Sequence, residues 1–160
     1  DVIKIACLAQ VVNVISPIHT TREGLLKHTT YYPFLLFSKL AAGAALDVNV
    51  KAPLHETAKF GDMPLIDVSA SYDEANSAGA VFIVNRSQTE SLPVDLHWQD
   101  RAPRRIKAVH QLAGTDPKAV NTFENPNNIV TRSVDAPQVS DGVATLVLPP
   151  LSFTAVELEM

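Results

Sequence analysis

The 160-residue chain has a single cysteine, Cys7, which excludes an intramolecular disulfide and any zinc site built on cysteine pairs, and points to a reducing compartment. It has no surplus of positive charge. Lys and Arg number 13 against 17 Asp and Glu, a net charge of −4 at pH 7, and no stretch gathers the basic residues, so no nucleic-acid partner is expected. Long apolar runs are missing too. The longest charge-free stretch, residues 5–21, contains Gln10, Asn13, Ser16, Pro17 and His19, whose polar groups would go unpaired in hydrocarbon, so no membrane span is expected. No basic segment precedes an apolar one with a small-residue cleavage site, and a cytoplasmic location is the expectation. The five histidines, His19, His28, His55, His97 and His110, lack metal-ligand spacing such as HExxH, and neither a GxSxG elbow, a GxGxxG turn nor a P-loop occurs. No metal, serine-esterase chemistry or nucleotide cofactor is therefore expected.

What is present suffices for a core. With 46% hydrophobic residues, a chain of this size hides roughly 68–70% of its unfolded surface. There is no initiator Met, and Asp1 leads directly into an apolar run where termini are ordinarily polar. A piece of a longer protein is the expectation.

Composition divides the chain into residues 1–45 and 46–160, with the join between Gly43 and Asp47. Residues 2–9 are apolar apart from Lys4 and read as a strand buried on both faces of a parallel sheet, although periodicity alone does not exclude a helix. Pro17 and residues 20–24 mark a loop. Residues 32–42 follow with Pro33 near a helix start, Thr29 or Thr30 as cap, Phe34, Phe37, Leu40 and Ala41 at helical spacing, and Gly43 as the stop. Beyond this point the pattern is all-β. Val48 with Val50, Ile66 to Tyr72 in alternation, residues 80–84, Val94 with Leu96 and Trp98, and residues 106–112, 143–148 and 153–158 make about seven candidate strands. Pro53, Pro93, Asp141-Gly142 and the Asn- and Gly-rich stretches 76–79, 114–117 and 125–128 punctuate them, the pattern of an antiparallel, jelly-roll-like β-sandwich. A lone strand, loop and helix before a sandwich would leave two unpaired strand edges. Residues 1–42 are therefore expected to be the last β/α unit of a (β/α)8 barrel whose earlier units lie upstream.

The run Ile5-Ala6-Cys7-Leu8-Ala9-Gln10-Val11-Val12-Asn13-Val14-Ile15-Ser16-Pro17-Ile18, followed by Thr30-Tyr31-Tyr32-Pro33-Phe34, resembles the end of the catalytic barrel of glycoside hydrolase family 51 α-L-arabinofuranosidases. The stretches Pro64-Leu65-Ile66-Asp67-Val68-Ser69-Ala70-Ser71-Tyr72, Phe82-Ile83-Val84-Asn85-Arg86 and Leu148-Pro149-Pro150-Leu151-Ser152-Phe153 resemble that family's C-terminal β-domain. The resemblance covers essentially the whole chain. It implies a retaining, exo-acting hydrolase, without cofactor, that releases terminal α-L-arabinofuranosyl units from arabinoxylan, arabinan or their oligosaccharides, and that forms homo-oligomers. Its acid/base and nucleophile glutamates stand on earlier barrel strands, so no catalytic residue is expected in this chain, and the isolated chain is expected to be inactive.

By the same resemblance, Gln10 matches the glutamine that binds the arabinofuranose in the −1 subsite, at the substrate-facing end of a barrel strand. The other reading is that its amide only satisfies loop backbone groups. His19, in the same loop, is a candidate for meeting the leaving-group sugar. No sequence neighbour fixes its ring, and a solvated loop histidine is the alternative. Where many family members carry a Trp before the TxYYPF block, this chain has Leu26, Lys27 and His28, which leaves an aromatic wall there without its residue. Asp73 and Glu74 flank a turn and read as surface charges. Arg101, Arg104, Arg105 and Lys107 read as a solvated loop or domain-interface patch, and Trp98 shares the core face of Val94 and Leu96. A non-catalytic carbohydrate-binding or oligomerisation module is the alternative function. It would need exposed coplanar aromatics, and ten Phe, Tyr and Trp in all are a thin supply.

Overall fold

The computed structural model describes residues 7–160. In chain order, β1 (Ile18–Thr20) and β2 (Leu25–Lys27) form a hairpin, α1 (Tyr31–Leu40) follows, and β3 (Ala44–Leu46) leads to a second hairpin of β4 (Leu54–Thr57) and β5 (Gly61–Pro64). Then come β6 (Ile66–Asp73), β7 (Ala78–Asn85), β8 (Leu92–His97), β9 (Arg105–Ala113), β10 (Arg132–Val134), β11 (Val143–Leu148) and β12 (Ser152–Glu159). The fold is mainly β and antiparallel. Six strands form one sheet in the order β10-β9-β12-β7-β6-β3, and β8 pairs with β11 in a separate ribbon.

The burial patterns explain the layering. In β8, Leu92, Val94 and Leu96 turn inward while Pro93, Asp95 and His97 face solvent, the period-two signature of a strand covered on one side. β7 is buried almost continuously because both of its faces are covered. Val81 and Ile83, with Val156 and Leu158 of β12, meet Leu146 and Leu148 of β11 and Trp98 in the main core. Ala80 and Phe82, with Phe153 and Ala155, meet Leu36 of α1 on the opposite face. The Phe37 ring stacks on Phe82 with centroids 3.9 Å apart. Helix, six-stranded sheet and two-stranded ribbon thus form three successive layers around two apolar clusters.

Six of the expected strands form. The alternation of Val48 and Val50 does not produce one; both are exposed, and pairing with β6 occurs earlier, Ala44 facing Tyr72 and Leu46 facing Ala70. Gly43 sets this register. Its φ is +77°, and a Cβ there would lie 2.1 Å from the Tyr72 carbonyl oxygen, so only glycine lets the chain leave the helix against β6. The helix itself ends three residues earlier, at Leu40, where the N–H of the C-cap Ala41 bonds the Phe37 carbonyl, and Thr30 occupies the N-cap without a side-chain bond. Asp141-Gly142 makes the turn expected of it. Both residues have positive φ, and Ser140 and Val143 exchange N–H···O bonds of 2.9 Å, the geometry of a tight hairpin turn. Of the strand expected over residues 2–9, residues 2–6 lie outside the described part, and Cys7, Leu8 and Ala9 have no strand pairing.

Candidate functional site

Gln10 and His19 lie on one closed loop that ends in the β1–β2 hairpin. Val12 bridges Ile18, the Asn13 N–H donates to the Ile18 carbonyl at 2.7 Å, and the His28 N–H donates to the Pro17 carbonyl at 2.8 Å. The Ser16 hydroxyl donates to the same Ile18 oxygen. Asn13 closes the loop from the other side: its Oδ1 accepts the Thr20 N–H at 2.8 Å and its Nδ2 donates to Thr20 Oγ1 at 3.1 Å.

This loop carries backbone strain. Gln10, Asn13 and Val14 have φ of 55°, 62° and 64°, a region that Asn tolerates and that costs a β-branched residue about 1–2 kcal/mol. Thr20 holds Asn13, and His19 holds Val14, whose carbonyl oxygen lies 2.9 Å from His19 Nε2. A carbonyl only accepts, so Nε2 is the donor in this contact. The His19 ring also stands edge-on to His28, with centroids 4.4 Å apart. Two tertiary neighbours thus fix a ring for which sequence alone offered none. Gln10 is exposed at the start of this loop.

Side chains on β2 alternate. Leu26 is 3% exposed and belongs to the interior, while Leu25 and Lys27 face outward. The Lys27 ammonium lies 5.1 Å from the Tyr31 ring centroid, close enough for a cation–π contact. Beside the hairpin tip, the loop between β9 and β10 rises to form an open groove lined by Arg22, Glu23, Leu25, Phe123 and Pro126. Hydrogen bonds from its own backbone N–H and from the Thr122 hydroxyl hold the nearby Glu124 carboxyl below its usual range. Asn121 of the same loop is 2% exposed. Its Nδ2 donates to the carbonyls of Lys27 at 2.8 Å and Ile129 at 2.9 Å, and its Oδ1 accepts the Ile129 N–H at 2.7 Å.

Residues set aside on sequence grounds have structural employment. Asp73 accepts from the Asn76 backbone and side chain in the turn after β6. Arg105 pairs with Glu159 at 2.7 Å and Lys107 with Glu157 at 4.0 Å. His110 Nε2 lies 2.8 Å from Glu157 Oε1 across the sheet. Among the described residues, no three His, Cys, Asp or Glu gather as a metal site, and no helix is long and apolar enough to cross a membrane. Asn13, Thr20 and Asn121 were not singled out by sequence. Nothing in an Asn-rich turn region reveals that one asparagine is buried and bonded 94 positions away.

Residues 1–152 match the family model described as the α-L-arabinofuranosidase C-terminal domain. An intracellular exo-α-(1→5)-L-arabinofuranosidase from Streptomyces lividans is 38% identical over 98% of this chain and 24% of its own length. An exo-α-(1→6)-L-arabinofuranosidase from Bifidobacterium longum is 33% identical over 99% of this chain and 31% of its own. The solved structure of a family 51 α-L-arabinofuranosidase from Bifidobacterium longum superposes with a TM-score of 0.86 at 30% identity, covering 94% of this chain and 30% of that one. The chain thus spans about a quarter to a third of the length of these relatives. The three-layer antiparallel fold and a family match over nearly every residue lead to one assignment: the chain belongs to the α-L-arabinofuranosidase C-terminal domain family.

Proposed function

We propose that this chain is the C-terminal part of a retaining, exo-acting α-L-arabinofuranosidase. In this reading residues 1–43 supply the last strand, loop and helix of a (β/α)8 catalytic barrel, and residues 44–160, which begin with β3 at the edge of the six-stranded sheet rather than at residue 46, form the sandwich that buttresses it. The observation that carries it is the match of almost the whole chain to one part of much longer arabinofuranosidases. The loop supports it: Val14 and Ile15 are 73% and 84% exposed beside exposed Leu8, Val11 and Val12, the surface expected where a neighbouring domain sits.

The chemistry requires two carboxyl groups about 5–5.5 Å apart, one as acid/base and one as nucleophile. Both are assigned to earlier barrel strands. Gln10 is proposed to hydrogen-bond the arabinofuranose to be released, its amide offering two donors and one acceptor. His19 is proposed to meet the leaving-group sugar, its ring preset by Val14 and His28. The substrates are terminal arabinofuranosyl units of arabinan, arabinoxylan and their oligosaccharides; relatives named for (1→5) and (1→6) linkages bracket the choice. An intracellular location and a homo-oligomeric state complete the proposal.

The test compares the polypeptide as its host produces it with the 160-residue chain on an aryl α-L-arabinofuranoside. Turnover by the former and none by the latter is expected, and Gln10→Ala should lower kcat/KM of the former. Turnover by the short chain alone overturns the division of labour.

A further inference from the structure

Two asparagines are buried among the described residues, and they bind different things. Asn85, 1% exposed, donates to the carbonyls of Glu90, Leu148 and Pro149 and accepts from the Ser87 N–H. All these partners lie within the sandwich, where Asn85 at the end of β7 ties the six-stranded sheet to the end of β11 in the ribbon. Asn121 spends one bond on Ile129 in each direction and one on Lys27, which belongs to the hairpin carrying the Gln10 loop. Lys27 lies opposite Ile18 in the β1–β2 ladder, and the Ile18 carbonyl receives the Asn13 N–H and the Ser16 hydroxyl. The Lys27–His28 peptide unit makes the crossing: its carbonyl accepts from Asn121 and its N–H donates to the Pro17 carbonyl, so hydrogen bonds and short backbone links together join the sandwich to the strained turn at Asn13 and Val14.

We propose that Asn121 is a positioning residue for the reaction: the sandwich reaches through it to hold the sugar-binding loop in its left-handed conformation. A buried amide is suited to this, because releasing either end leaves an unpaired polar group out of water. The strained turn needs such support, since a non-glycine residue at positive φ persists only where its surroundings over-determine it. The proposal rests on the arabinofuranosidase reading for its catalytic consequence and on geometry alone for the tie itself.

The experiment uses Asn121→Ala and Asn121→Asp, with Asn85→Ala as comparison, in the polypeptide as its host produces it. Aspartate keeps the acceptor for the Ile129 N–H and loses both donated bonds, including the one to Lys27. Both Asn121 variants should lower kcat/KM on an aryl α-L-arabinofuranoside roughly tenfold, mainly through KM, because a loop displaced by a fraction of an ångström misplaces the sugar. Asn85→Ala should lower the melting temperature and leave KM unchanged. Independently of activity, the amides of Thr20 and His28 should exchange faster in the Asn121 variants and not in Asn85→Ala. Wild-type KM in the Asn121 variants, measured below their melting temperatures, overturns the proposal, as does unchanged exchange at Thr20 and His28. If neither Asn121 variant folds, Asn121 is a folding residue and the proposal fails. If the wild-type protein cleaves no arabinofuranoside, the functional reading falls, and exchange alone decides the tie.

Discussion

Residues 7–43 and the sandwich that follows solve the problem of burial in opposite ways. In the sandwich, Ile83, Leu148, Val156 and Ala155 have no exposed surface, and the layers close over them. In the loop before β1, polar side chains do the holding, through Asn13, Ser16, Thr20 and His19, while valine and isoleucine point outward. The comparison teaches that one part is a finished core and the other keeps its apolar side chains on the surface, which the proposed reading assigns to a neighbouring barrel. Helix α1 belongs to both, sealing the outer sheet face with Leu36 while leaving Phe34 exposed.

Substitutions can sharpen that contrast. Ile83→Ala removes a fully buried side chain at the centre of the main core and should cost about 2–5 kcal/mol in urea unfolding; a loss under about 1 kcal/mol would show that the core is looser than its burial implies. Gly43→Ala meets both a positive φ and the Tyr72 carbonyl, and roughly 1–3 kcal/mol of destabilisation is expected, seen as faster amide exchange in β3. Phe37→Ala unstacks the ring from Phe82 and should weaken the seating of α1 by about 0.5–1.5 kcal/mol, with β8 and β11 unaffected. A smaller effect is expected at Glu159, whose carboxyl is held below its usual range by its hydrogen bond and charge contact with Arg105. A lowered folded value means that its contribution is present above the unfolded glutamate value of about 4.3 and is lost as pH falls through the folded one. Glu159→Gln should therefore melt below wild type at neutral pH and match it in strong acid. Ile15→Ser should leave the stability of this chain within about 0.5 kcal/mol, because that side chain already faces water.

The long strands were legible because each has a covered face and a clear punctuation. β11 occupies residues 143–148 as its alternation indicates, and β6, β7, β8, β9 and β12 differ from their expected ends by one or two residues. The three- and four-residue strands were not legible. β4 reads Leu-His-Glu-Thr, a string without a buried face, and it exists because β5 lies beside it. Val48 and Val50 carry the right alternation, but the backbone leaving Gly43 has already paired with β6. At the site, Gln10 was reached through family resemblance and His19 through its place in the loop. The bonds that close that loop come from Thr20 and His28, while Asn121 anchors the adjoining hairpin at Lys27, and only folding brings them together.

The place of β12 has a bearing on how the protein is made. It is the shared neighbour of β7 and β9 in the middle of the six-stranded sheet, yet its residues come last among the strands. During synthesis at about 5–20 residues per second, β7 waits several seconds with one edge bare, and β9 waits beside it. The sheet therefore closes only after residues 152–159 have left the ribosome, and until then β7 and β9 each lack the strand that pairs with them both.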